Sequence, residues 1–395
     1  MKTKPFTIVS LILALAFALV WTAGAVSADT VCDPDYVTQS GNVISVLPTG
    51  VDDTANLQCA FDVALSYGEG AHVQLKAGAF HTGQVVINDF QGTFTGAGMN
   101  NTEIINLPNL YVTPVDMYLN PPSASNPWPS LFSFVDGDYH IADLAIRIIG
   151  DNPTSGWSIF GIAPPVKELA LAIAVLGDEA HVRVDRVLIE GEPMENSLYG
   201  YNLINGIYME GFMGELPWPP ISGSLEVYNS VFKHIGCATP VLNLKDATVV
   251  ISHNRYEDVF DASDASDLID SNVTFSHNQV EGALFGYWYY PGFGVNSEGS
   301  HILIKNNVFR GSTFGPFFEG VFGPENECLM IGNNVQDVTD IGIYLGPDVE
   351  GCMVVGGGNN TTNVVDEGTN NTLTGVNNMG VGIGPEISQF MRRKP

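Results

Sequence analysis

Charged residues recur at equivalent positions of a repeated pattern in this chain of 395 residues. Two of them, Glu257 and Glu281, have the chemistry of an acid–base pair. The charged residues lie six residues after the start of a repeated apolar pattern: Arg147, Glu190, Lys233, Glu257, Glu281, Arg310 and Asp337. Carboxylates about 5 Å apart suit retaining glycoside hydrolysis, and a wider pair suits inversion. Like charges at Glu257 and Glu281 would raise the pKa of at least one of them. The alternative is a solvated ladder of mixed charge, which an outward face is expected to carry.

The positions four residues after each start of the same pattern form a second set, which is apolar at its first and last members. Arg255 interrupts this set. In lyases of uronic-acid polymers an arginine can act as the base or bind the sugar carboxylate. The alternative is a salt bridge to Asp258 or Glu281. The sequence thus predicts one set of catalytic candidates and one charged substrate-binding candidate: Arg255, Glu257, Glu281 and Lys233 for catalysis, and Arg310 for binding.

The tripeptide Ser-His-Asn occurs twice, which puts His253 and His277 at equal offsets in neighbouring repeats. Two stacked histidines could bind a metal if a carboxylate joined them. The spacing supplies no third ligand, so a polar stack at a corner of the chain is favoured.

Aspartates occupy every third position from Asp258 to Asp270. Their oxygen atoms suit Ca²⁺, and we take Asp261, Asp264 and Asp267 as the candidate ligands. The glycine and the closing glutamate of an EF-hand are missing. The alternative is a polar connection in which Asp and Ser close turns. No other cofactor is expected.

Aromatic residues gather in "GYWYYPGF" at 286–293, and one further tryptophan lies in "LPWPP". Flat rings on loops are good stacking platforms for sugars, although anchoring of a loop uses the same residues. Consecutive residues of an extended chain cannot all face inward. The predicted platforms are Tyr287, Trp288, Tyr289, Tyr290 and Trp218.

The repeat that positions these residues starts at 141, 184, 227, 251, 275, 304 and 331, so its spacing is 24 residues or a little more after 227. Such a period predicts a solenoid of β-coils stacked at about 4.8 Å. An Asn at the same corner of successive coils can hydrogen-bond to the next one and tolerates the backbone angles of a corner. The spacing of 43 between the first copies predicts inserted loops near 147–183 and 190–226.

The five cysteines fit this register in part. Cys328 and Cys352 are 24 residues apart, so they would be direct neighbours in adjacent coils. At that distance they could form a disulfide or remain two stacked free thiols. Cys32 and Cys59 are a second candidate pair between the N-terminal arm and a helix. Cys237 is expected to be a buried thiol.

The N-terminal part of the chain predicts export, followed by a helix at the start of a single domain. Residues 1–28 have the order of a secretory signal peptide, which predicts a secreted, extracellular or periplasmic protein with no membrane association after cleavage. One domain is expected over 29–395, with a cap helix at about 53–67, coils at about 72–375 and a tail at about 376–395. Asp53 is the expected N-cap, and Leu57, Phe61 and Ala64 give the helical period. We expect a monomer.

The net charge of −28 argues against nucleic acid and anionic membrane as partners. Abundant Gly and Asn with few charged residues favour an all-β fold.

The segment "VDDTANLQCAFDVALSYGEGAHVQLKAGAFHTG" at 51–83 resembles the entry region of the pectin-lyase-like superfamily, as does "GTFTGAGMNNTEI" at 92–104. The resemblance implies a right-handed parallel β-helix with an N-terminal α-helical cap. Lys76 stands where that family usually has Pro, and Phe80 where Tyr is common. The superfamily holds lyases, hydrolases, epimerases, phage depolymerases and non-catalytic surface proteins.

The expected function is action on an extracellular polysaccharide by lyase or hydrolase chemistry, and the alternative is a non-catalytic β-helix that binds glycans. The paired Asp, Gly-His-Gly and Arg-Ile-Lys motifs of polygalacturonases are absent from the sequence. The Arg-x-Pro-x-x-Arg pattern of pectate lyases is also absent.

Overall fold

The computed structural model describes residues 32–107, 130–151, 169–195, 197, 199–210, 220–290, 297–356 and 363–376. The predicted signal peptide, Trp218 and nearly all of the predicted tail lie outside these ranges. The described elements are one helix, α1 (Thr54–Tyr67), and the following strands. They are β1 (Val37–Ser40), β2 (Val43–Val46), β3 (Ala71–Leu75), β4 (Gly78–Thr82), β5 (Val85–Thr95), β6 (Thr102–Asn106), β7 (Ser130–Arg147), β8 (Leu169–Glu190), β9 (Leu203–Glu210), β10 (Ile221–Tyr228), β11 (Val231–Lys233), β12 (Val241–Ser252), β13 (Arg255–Glu257), β14 (Asp264–Ile269), β15 (Asn272–Ser276), β16 (Gln279–Glu281), β17 (Phe285–Tyr289), β18 (His301–Lys305), β19 (Val308–Arg310), β20 (Phe314–Phe318), β21 (Glu327–Ile331), β22 (Asn334–Gln336), β23 (Ile343–Leu345), β24 (Met353–Val355), β25 (Val364–Asp366) and β26 (Thr372–Thr374).

Parallel pairing stacks these strands into the three faces of a β-helix. Face A contains β9, β14, β17, β20, β23 and β25 with the first parts of β5, β7, β8 and β12. Face B contains β2, β3, β10, β15, β18, β21, β24 and β26 with the next parts of the same long strands. Face C contains β4, β6, β11, β13, β16, β19 and β22 with the ends of β7 and β8. Each coil thus runs from A to B to C and back.

The predicted register is confirmed from Ile141 to Ile304. Ile141 pairs with Val184, and Val227 pairs with Ile251. The predicted start of the next repeat, Ile331, is wrong by one residue, because Ile304 pairs with Met330. Met330 is fully buried while Ile331 is 38% exposed, since a shift of one residue moves a side chain to the other side of a strand. Gln336, and not Asp337, therefore ends the charged column.

The predicted inserted loops are wrong over much of their length. Residues Leu169–Glu190, Leu203–Glu210 and Ile221–Tyr228 are strands that pair in parallel with the neighbouring coils. Within the long spacings, residues 152–168, 196, 198 and 211–219 lie outside the described ranges.

A buried asparagine ladder closes the corner between faces B and C. The side-chain oxygen of each Asn accepts the backbone N–H of the equivalent residue one coil earlier, at 2.9 Å from Asn278 to the N–H of Asn254. Ser230, Asn254, Asn278, Asn307 and Asn333 form this column. The left-handed backbone angles belong to the residue before each Asn, with φ 61° at His253 and 56° at His277. The amide ladder is therefore confirmed, but the expectation that Asn itself takes the special angles is wrong.

Helix α1 packs its apolar side against the first coils, with Leu57, Phe61 and Ala64 buried in the main core. Asp53 stands at the N-cap but makes no side-chain capping bond to the helix. Its carboxylate instead accepts the backbone N–H of Thr49 at 2.7 Å and of His81 at 2.9 Å. Asp53 therefore fixes the chain that enters and leaves the helix, which corrects the predicted role.

Two disulfides hold the ends of the described fold. Cys32 is bonded to Cys59 on α1, and Cys328 is bonded to Cys352 one coil later, with their Cα atoms 4.6 Å apart. Cys237 belongs to neither and is buried. The main core is the apolar interior of the coils, and two smaller apolar clusters lie apart from it.

Candidate functional site

The predicted catalytic residues form a ladder of ion pairs on the outer side of face C. Lys233 Nζ lies 2.8 Å from Glu257 Oε2, and Arg255 pairs with the same carboxylate. Arg255 also lies 3.5 Å from Glu281, and Arg310 lies 4.0 Å from Glu281. The structure thus brings these residues together, but each cation has a carboxylate partner. This arrangement is the ladder of paired charges. A catalytic cluster would need an acidic or basic group that is not held in an ion pair.

Glu257 does not show the raised pKa expected of a like-charged pair. Burial disfavours its charge, but the hydrogen bonds and charges of Lys233 and Arg255 outweigh this and lower its pKa below the ordinary value. The carboxylate is therefore held ionised and is poorly suited to donate a proton at neutral pH.

Replacing Glu257 by glutamine is expected to cost at most about 1 kcal/mol of unfolding free energy at neutral pH. Because the pKa is lowered in the fold, this contribution is present above the ordinary pKa and is lost as pH falls through the lowered one. Urea titrations of both proteins across the acid range should give curves that converge on acidification. The exposed Glu325→Gln, which forms no ion pair among the described residues, serves as the control with little effect, and a difference that persists in acid would contradict the assignment.

The two predicted corner histidines stack face to face. Their ring centroids lie 4.8 Å apart with planes 7° apart. His253 Nδ1 is 2.8 Å from Ser252 Oγ, and His277 Nε2 is 3.3 Å from Asn306 Nδ2. No carboxylate joins them among the described hydrogen bonds, so the polar corner stack is the arrangement present.

The predicted sugar platforms are divided between two sides of β17. Tyr287 and Tyr289 point into the coil interior and are buried in the main core, so they cannot stack on a sugar. Trp288 points outward but is buried in a second aromatic cluster, where its ring lies 4.8 Å from that of Phe285. Tyr290 is partly buried and packs on Trp288 at 5.1 Å. Alternation along a strand explains the division.

A different cluster forms where the chain enters face A. Cys237, Asp261 and Phe285 pair in successive coils, and Asp264 pairs with Trp288. The thiol sulfur and one oxygen of each carboxylate lie within 4.8 Å of one another. Asp261 is 0% and Asp264 5% exposed. Their partners in the next coil, Phe285 and Trp288, belong to the aromatic cluster outside the main core, so both aspartates lie on that outer side.

Aromatic rings surround this acid pair. Tyr199 lies 4.5 Å from the ring of Phe260, which in turn is 5.7 Å from Phe285. Burial and the charges of Cys237, Asp261 and Asp264 raise the pKa of Tyr199 well above its ordinary value. The phenol is therefore a neutral group that can donate a hydrogen bond beside two carboxyl groups. Two neighbouring carboxyl groups and aromatic walls are the parts that sugar chemistry uses.

The predicted calcium ligands do not come together as a set of three. Asp267 accepts a hydrogen bond from Ser266 at 2.9 Å, and the group that has metal-ligand spacing in the described residues replaces it with Cys237. A thiol is a poor ligand for Ca²⁺, which prefers oxygen. The donor set therefore does not fit calcium as the sequence predicted it.

The association of Cys237 with the two aspartates was not predicted from the sequence. The signal was present, since 237, 261 and 285 are separated by 24 residues, as are 264 and 288. Tyr199 lies on the connection between β8 and β9, outside the repeat, so no spacing could have placed it there.

No protein-family model and no curated protein matches the sequence. The chain is similar to several solved structures, all at low sequence identity. A polygalacturonase from Erwinia carotovora ssp. carotovora is 11% identical, with 89% of this chain and 97% of that chain covered and a TM-score of 0.49. The enzymatically active domain of tailspike protein 2 from bacteriophage CBA120 is 9% identical, with 83% and 41% covered and a TM-score of 0.45. The A-module of a mannuronan C-5 epimerase from Azotobacter vinelandii is 14% identical, with 85% and 93% covered and a TM-score of 0.40. These likenesses concern the fold, which the strand register establishes independently.

None of the helical structure in the described ranges has the length and apolar character needed to cross a bilayer.

Proposed function

We propose that this chain is a secreted β-helix protein that cleaves extracellular polysaccharide, with Asp261 and Asp264 as its acid–base pair. The observation that carries the proposal is the approach of two buried carboxylates within 4.8 Å on the outer side of face A. Two negative charges this close and this dry repel, so the state in which one carboxyl group carries the proton is favoured. That state supplies one acid and one base, as glycoside cleavage requires.

The separation favours one type of hydrolysis over the other. Retaining enzymes hold their carboxyl groups about 5 Å apart, whereas inverting enzymes leave room for a water molecule at about 6.5–9.5 Å. One oxygen of Asp261 and one of Asp264 lie within 4.8 Å of each other, which is below the range that leaves room for that water. Hydrolysis with retention is therefore the proposed reaction, and Tyr199 is the proposed hydrogen-bond donor beside the pair.

A second candidate function is glycan binding without catalysis. Two observations favour it. The predicted catalytic residues on face C are occupied by ion pairs, and Asp261 and Asp264 are almost fully buried, whereas a catalytic carboxylate has to reach its substrate. A surface protein needs only a charge ladder in which every group is paired and a polar surface for the sugar.

An activity screen with the mature protein separates the two. Uronate-containing and neutral polysaccharides are incubated with the protein, and reducing ends and the ultraviolet absorbance of unsaturated products are both measured. Hydrolysis gives reducing ends without absorbance, whereas a lyase gives both. No product on any polysaccharide, with glycan binding retained, would refute the enzyme proposal.

Two companion measurements address export and calcium. Amino-terminal sequencing of the exported protein should find a chain that begins near residue 29 if residues 1–28 are a signal peptide. Running the screen with calcium and with a chelator tests the calcium hypothesis, since an acid–base pair that acts without an ion gives equal rates.

A further inference from the structure

A polar cleft of about 640 Å³ opens on face B of the first coils, on a different face from the acid pair. Outward side chains of β5, β7, β8 and β10 line it in two rows, among them Gln91, Asp138, His140, His181, Arg183 and Glu226. A second cleft of about 410 Å³ shares Gln91, Asp138 and His181 with it, so the two are continuous. The volume of the first is that of a typical small-molecule site.

Arg183 is the unusual member of this cleft. The other arginines in the described ranges, Arg147, Arg186, Arg255 and Arg310, each form an ion pair with a carboxylate. Arg183 forms none with any described residue, although the chain has 43 acidic residues against 15 basic ones. Its guanidinium carbon instead lies 5.4 Å from the centre of the Tyr228 ring. Stacking on an aromatic face holds the guanidinium in place and leaves its N–H donors available.

His140 lies directly beside Arg183 in the preceding coil. Burial and the charge of Arg183 lower its pKa, so the imidazole is neutral at pH 7. Its Nε2 atom is out of contact with solvent and has no hydrogen-bond partner in the described part of the chain. Because Nε2 is closed off from solvent, His140 serves as an uncharged neighbour of Arg183 and not as a contact for the ligand.

We infer that this cleft is a second binding site, separate from the acid pair, for a carbohydrate that carries a carboxylate. A guanidinium fork matches a carboxylate with two parallel hydrogen bonds, which no neutral sugar offers. The other row of side chains includes Gln91 and His181, which supply hydrogen-bond donors and acceptors one coil apart. These groups can bind the hydroxyl groups of the same oligosaccharide. The site holds the polymer; it has no part in cleavage.

Isothermal titration calorimetry of the Asp264→Asn protein tests this without turnover. The probes are a short uronic-acid oligosaccharide and the same oligosaccharide with its carboxylates methyl-esterified. The acid form is expected to bind and the ester to bind at least about tenfold more weakly, as loss of a charged hydrogen bond implies. Arg183→Gln should weaken binding of the acid form by a similar factor, and Arg183→Lys by less, because lysine keeps the charge but loses the fork.

Lys305→Gln is the matched control, because Lys305 is a cation of the same face outside the cleft. It should leave the affinity within about twofold. The inference is overturned if the acid form does not bind, if acid and ester bind equally, or if Arg183→Gln binds as well as the parent. The acid pair is tested by the rate at which reducing ends are released, and this site by affinity in a protein that does not turn over, so failure of this site and failure of the acid pair give different results.

Discussion

The Asp264→Asn protein is expected to cleave polysaccharide about 10³-fold more slowly than the parent, because it has lost one member of an acid–base pair. Asparagine keeps the shape of the side chain but can neither carry nor release the proton. Asp261→Asn should show a loss of similar size. The double variant should lose little more than either single one, since two groups that act as a unit fail together. The measurement is the rate of release of reducing ends on the polysaccharide that the screen identifies.

Asp270→Asn is the control for this experiment. Asp270 belongs to the same run of aspartates and is exposed, and its φ of 46° is tolerated by asparagine. Its activity should remain within about twofold of the parent. Thermal unfolding distinguishes a catalytic pair from a structural one. Because two close, buried carboxyl groups repel when both are ionised, replacing one of them should leave the melting temperature unchanged or higher, as at strained functional sites. A lower melting temperature with unchanged activity would refute the assignment.

The coil architecture was predictable because a buried interior imposes one register on every coil. Ile251 and Phe275 had to be apolar and equally spaced, so the period could be read directly. The same reasoning failed at Met330 and Ile331 because both are apolar and only one can face inward. It also failed where the spacing was 43, since a long interval does not say whether the additional residues form strands or loops.

The candidate site was less predictable, for a different physical reason. Spacing tells which residues share a column, but not how the side chains pair. Arg255 and Glu257 were both expected to face outward, and a salt bridge of Arg255 to Asp258 or Glu281 was weighed, but spacing did not indicate that Arg255 also pairs with Glu257. Asp261 and Asp264 were predicted to bind a metal together with Asp267. The side chain that joins them at metal-ligand distance is instead Cys237, which comes from the preceding coil. Burial of Tyr287 followed from strand alternation, which the consecutive aromatic residues concealed.

Replacing Asn278 by leucine is expected to lower the free energy of unfolding by about 3–5 kcal/mol. The Asn278 side chain accepts the backbone N–H of Asn254 at 2.9 Å and donates to the carbonyl of Ile251 at 2.9 Å. It also donates to the side chain of Asn307 at 3.2 Å. Leucine would leave the buried N–H of Asn254 without this acceptor and the carbonyl of Ile251 without this donor, at about 1–3 kcal/mol for each. Chemical denaturation followed by circular dichroism measures the loss.

Two further variants decide whether the ladder is the cause. Asn278→Ser should cost less than leucine, because Ser230 already holds a place in this column by accepting the N–H of Val187 at 3.1 Å. The exposed Asn272→Ala on the same coil should change the free energy by less than about 0.5 kcal/mol. Coils contact only their neighbours, so a break at Asn278 should also separate the unfolding of the two halves. Hydrogen exchange of the leucine variant should then show the coils on either side losing protection at different denaturant concentrations. A single transition with a loss no larger than that of Asn272→Ala would mean that apolar packing alone holds the coils in register.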